Sequence, residues 1–163
     1  MSGTHAAPRA AGPTPANQLA RLRASSLGVV AMLIIQFILG MIYNLYGTAP
    51  TAKKSIGAFS SPVIALHVIL TILLLIAAVA QLARAIGARH GLTIWMSAIG
   101  LVALLAAGGS GIGFINSGAA GASLGMSIAF AVALACYVVL VFALAPGVPG
   151  RSAGRSSGQS STT

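Results

Sequence analysis

The sequence predicts an all-α polytopic membrane protein, a four-transmembrane-helix bundle with disordered tails, and three observations carry the prediction. Of 163 residues, 57% are hydrophobic; none is Asp or Glu; and all nine Lys/Arg lie in tails or between apolar runs. A soluble domain carries charge of both signs on about a quarter of its residues. Here the mean hydropathy is +0.97, and each charge-free run is long enough to cross a hydrocarbon core of about 30 Å.

Residues 1–24, rich in Ala, Pro and Gly, read as a disordered tail. A transmembrane domain over 25–145 follows. Its first span covers about 27–45 and its second about 62–83, with Pro62 suited to a first helical turn. The third covers about 92–115, opening near Trp95 at headgroup depth. The fourth covers about 122–144 and is stopped by Pro146, Gly147 and Pro149, and 146–163 form a second disordered tail. In lipid the backbone must satisfy its own hydrogen bonds, so these runs are helices.

A +9 net charge is compatible with nucleic-acid binding, but the scattered cations are topology signals, and no nucleic acid is expected. Arg9, Arg21, Arg23, Arg84, Arg89, Arg151 and Arg155 lie in the tails and second connection; Lys53 and Lys54 lie in the first. The positive-inside rule then places both termini in the cytoplasm and the protein in the plasma (inner) membrane. Tyr43, Tyr46 and Phe59 fall on the outer side as an aromatic belt.

Without a hydrophobic drive between helices in lipid, packing rests on small residues and sparse polar contacts. Gly109 and Gly113 close the third span, Gly121 and Gly125 open the fourth, and these pairs predict close approach of the two helices. The glycines also predict a loosened outer end of helix three. Gln36, Gly40 and Asn44 share one face of the first helix, and His67, Thr71, Ala78 and Gln81 one face of the second. Facing lipid, Gln36 and His67 would be unpaired at about a few kcal/mol each, so they point inward. Tyr43, Asn44, His67, Ser110 and Asn116, with Gln36, are expected around an outer polar pocket.

Absent carboxylates remove carboxylate acid–base chemistry, Asp/Glu metal ligation and proton-coupled transport through an acid. No catalytic residue is identified. Cys136, the single cysteine, reads as a small buried filler. His5 and His90 read as solvated. His67, about 7 Å inside its helix, has two readings: an interhelical hydrogen-bonding group, or a ligand to haem iron. Gln36-Phe37-Ile38-Leu39-Gly40, an outer loop and Ala65-Leu66-His67, within residues 33–81, resemble the first hairpin of a haem A synthase half. That resemblance implies four-helix halves with histidines in the second and fourth helices. This chain has half the family's length, no acid in the first outer loop and no histidine in the fourth helix; haem A synthase activity is not expected. A weak internal repeat sets Met126 opposite His67 as a possible second axial ligand.

Three functions follow. The first is an accessory, assembly or stabilising subunit acting through helix–helix interaction with other membrane subunits or itself, in contact with the lipid bilayer and without a cofactor. The second is a haem-binding or haem-handling protein using His67. The third is a passive transporter or pore.

Overall fold

A computed structural model describes residues 14–145, apart from 49, 52 and 58. The tail readings over 1–13 and 146–163, with His5, Pro146, Gly147 and Pro149, lie outside the described residues. Four helices follow in order: α1 Pro15–Tyr46, α2 Pro62–Ala88, α3 Gly91–Ser117 and α4 Ala120–Ala143. All four are long and apolar enough to cross a membrane.

The first helix begins at Pro15, well before the expected Leu27, so residues 15–24 are not a tail. Thr14 Oγ1 accepts from the Asn17 amide at 3.4 Å, and Pro15 occupies the first turn. This pairing of a hydroxyl cap with a first-turn proline is a strong helix start. The extension packs: Leu22 is buried and Ser26 is fully enclosed. A second hydroxyl–proline start, Ser61–Pro62, opens α2, where Ser61 Oγ accepts from the Ile64 amide at 3.3 Å. Arg89, in left-handed conformation at φ 53°, ends it.

The loosening expected near Gly108–Gly113 does not occur; α3 stays helical to Ser117. Its backbone bonds are kept because lipid offers no alternative partner. Gly118 terminates it at φ 67°, its amide donating to Phe114 O at 2.7 Å. The α3–α4 turn is thus Gly118 and Ala119, tighter than the expected Asn116–Gly121.

Sequential helices are neighbours, and α1 closes the ring against α4; the diagonal pairs do not approach closely. The α3–α4 hairpin is the most extensive contact. Phe37 of α1 stacks on Phe130 of α4 at 5.9 Å between centroids. Val29, Leu33, Leu74, Ala78, Ala103, Leu104, Ala133, Tyr137 and Leu140 fill the axis. Outside, large apolar side chains stand exposed on every helix, among them Ile35, Ile76, Leu105 and Ile128. Apolar surface on all sides suits a hydrocarbon solvent.

The 47–61 loop folds back over the far hairpin. Its Ile56 amide donates to Ile115 O at 3.0 Å, Pro50 is buried, and Thr51 and Lys54 form an isolated antiparallel bridge. A Cβ on Gly118 would collide with the Pro50 carbonyl oxygen. Glycine is therefore required there twice, by conformation and by space.

Candidate functional site

Polar contacts between α1 and α2 fall at two levels. At the upper one, Gln36 Nε2 donates to Thr71 Oγ1 and, at 3.1 Å, to His67 O; Thr71 Oγ1 donates to the same carbonyl at 2.8 Å. Gln36 Oε1 is buried without a partner. The inward orientation expected of Gln36 thus comes from the backbone and hydroxyl of α2, not from the His67 ring.

His67 is half-buried. Its Cε1 lies 3.6 Å from the position a Cβ on Gly40 would take, and its Nδ1 is buried without a hydrogen bond. Neither Tyr43 nor Asn44 bonds the ring: Tyr43 Oη donates to Thr48 O at 2.6 Å, and Asn44 is exposed. Met126 Sδ stands 3.6 Å from the Cβ position of Gly111, so it packs across the α3–α4 hairpin. His67 and Met126 each seat against a glycine of their own hairpin. Among the described residues no three His, Cys, Asp or Glu gather as a metal cluster.

The outer polar pocket is dispersed. Gln36 lies between α1 and α2, Ser110 faces Gly125, and Asn44 and Asn116 are exposed. Of that set, Tyr43 alone borders the open cleft of about 430 Å³ at the loop end, whose wall includes Tyr46, Lys54, Ser55, Ser60 and Ser61. Asn44 and Asn116, solvated, gain nothing by converging, while Gln36 and Ser110 are held within their own hairpins.

The glycine pairs divide likewise. Gly113 meets Ala122, with 3.7 Å from its Cβ position to the alanine Cβ, and Gly125 meets Ser110 Oγ at 3.2 Å. Gly109 and Gly121 have open space around them. Close approach of α3 and α4 thus uses one member of each pair. A further small residue went unmarked in the sequence: a Cβ at Gly100 would lie 2.9 Å from the Tyr137 ring.

At the lower level, Gln81 Nε2 donates to Ser26 Oγ at 2.8 Å and to Leu22 O at 3.3 Å, and Arg84 Nη1 to Ser25 Oγ at 2.8 Å. Gln81, Ser26, Thr93 and Ser97 are all fully enclosed. Sequence reasoning missed this layer because a serine within or beside an apolar run, such as Ser26 or Ser97, carries no sign of which way it faces. The signal was present in the position of Gln81, one turn before Arg84 within the apolar run of α2. His90 is exposed, as expected of a solvated group, and stands at the N-cap of α3 with Nδ1 3.0 Å from Thr93 Oγ1. Cys136 is buried, as expected of a filler.

Fold and surface together define a multi-pass membrane protein of four helices. No family model, curated protein or solved structure matches the chain.

Proposed function

We propose that this protein works by lateral helix association, as an accessory, assembly or stabilising subunit of a plasma-membrane complex with both termini cytoplasmic. One observation carries the reading. Ser127, Ala131 and Ala135 recur at four-residue intervals along α4, and all three are exposed on the outside of the bundle. Ser127 Oγ donates to Ser123 O at 3.0 Å, so its hydroxyl is satisfied within the helix and presents a small surface. In lipid, such a stripe lets another helix approach the backbone closely. The axis, filled by Leu33, Leu74, Leu104 and Leu140, argues against a pore.

The test is site-specific photocrosslinking of the full chain in its native membrane, from Ala131 and, as control, from exposed Ile76 on α2. A discrete adduct from position 131 alone is expected, lost when Ala135 is replaced by Leu. Equal, diffuse crosslinking from both positions, as lipid contact alone would give, rejects the reading.

A second reading has its own observation. The buried, unpartnered Nδ1 of His67 is a nitrogen able to bind haem iron, and haem ligated there would supply one-electron chemistry. The visible spectrum of protein purified from haem-replete membranes tests this. A stoichiometric Soret band abolished by His67→Ala would put haem handling first; a spectrum without the band removes it.

A further inference from the structure

Towards the Arg84 end the bundle interior turns polar. Ser26 of α1, Gln81 of α2, Ser97 of α3 and Tyr137 of α4 are each 0% exposed. At about 1.5 Å per residue, Gln81 lies about 10 Å from the end of α2, and Ser97 and Tyr137 about 9 Å from the neighbouring ends of α3 and α4. Each helix therefore contributes a polar side chain to one layer. The α1–α2 half is partly satisfied through the Gln81–Ser26 bond. Gln81 Oε1, Ser97 Oγ and Tyr137 Oη are buried with no protein partner.

Packing contacts set the three at neighbouring positions of the bundle interior. The Tyr137 ring lies against the Gly100 position, one turn from Ser97 along α3. Tyr137 also shares the core cluster with Ala78 and Val29, which sit one turn from Gln81 and Ser26. Three buried polar atoms without partners at one level cost stability unless a ligand reaches them, and lipid supplies none. Their chemistry selects the ligand. One is an acceptor and two are hydroxyls, all neutral, which matches the two to four partners a buried water takes. A cation would lack a neutralising carboxylate, and the amide oxygen disfavours an anion.

We propose that this layer is an ordered-water site joining the two hairpins inside the bundle. Polar groups lead to it from the surface: exposed Arg84 bonds Ser25, and the buried Arg23 Nε, also unpartnered, lies one turn from Ser26. The site does not depend on the association reading above.

Hydroxyl-radical footprinting of the wild-type protein in nanodiscs tests it, since radicals generated from a bound water label its neighbours despite burial. Corrected for intrinsic reactivity, Tyr137 should be labelled at least ten-fold faster than Leu140 and Leu33, which are equally enclosed. Labelling of Tyr137 at their rate overturns the proposal. Thermal unfolding gives a second readout. Tyr137→Phe and Ser97→Ala should each lower the midpoint by about 2–4 °C, and the double variant by less than the sum. If the atoms are dry orphans, the same substitutions raise the midpoint, and the proposal fails.

Discussion

At the scale of single residues, two glycines have opposite surroundings. Gly100 faces the Tyr137 ring at a distance no ordinary Cβ tolerates, whereas Gly109 faces open space. Gly100→Ala is predicted to cost about 1–3 kcal/mol, the usual penalty of overpacking. Combining it with Tyr137→Leu should recover part of the loss, since the neighbours couple. Gly109→Ala is predicted to leave the unfolding midpoint unchanged or raised. Detergent-based thermal unfolding reads all three, and an equal loss at both glycines would contradict the packing described. Gly109 carried the more visible sequence motif, yet Gly100 makes the tight contact. Spacing identifies small residues but not which way their helix is rotated, and rotation is set by distant partners such as Tyr137.

Among the helices, α1 departs furthest from what its composition suggests. Deleting residues 1–24 would leave stability unchanged if they were only a tail. The structure predicts a lower midpoint, because Leu22 is buried at 2% exposure and its carbonyl accepts from Gln81. Leu22→Ala alone should cost about 2–5 kcal/mol by the cavity it leaves. Limited proteolysis gives an independent check: cleavage at Arg21 and Arg23 should be slow, and rapid cutting there would rule out the helical extension. The four spans were legible because uninterrupted apolar runs have one stable form in lipid, and Pro62 marked its helix start correctly. The α1 start was not, because Ala/Pro/Gly content hid the Thr14-Pro15 cap and the Leu19-Ala20-Arg21-Leu22 turn behind it. Likewise the inward turn of Gln36 was legible from its cost in lipid, while its partners on α2 required the fold. The tight turn at Gly118 offers a matching test. Gly118→Ala combines left-handed strain with collision against Pro50, and about 1–3 kcal/mol of lost stability is expected.

For the whole molecule, four crossings return the chain to the side it started from. Cysteines placed at Arg89 and Ala145, in a background where Cys136 is serine, should react with a membrane-impermeant reagent from one side. One placed at Lys54 should react from the other. Opposite labelling of Arg89 and Ala145 would break the bundle topology; uniform inversion would overturn only the cytoplasmic assignment drawn from the arginines. The charge bias and the ring of helices are separable claims, because the first rests on seven cations against two and the second on packing.

The segment joining α1 to α2 leaves the ribosome before the residues that hold it. Pro50 and Ile56 meet Gly118 and Ile115, which are synthesised only after α2 and nearly all of α3. During biogenesis the first pair of helices must therefore wait, its connecting strap undocked, until the second pair has inserted. Completion of the molecule is then a clasping event at one membrane surface, and a chain stalled before Ile115 would keep Lys53 and Lys54 open to protease.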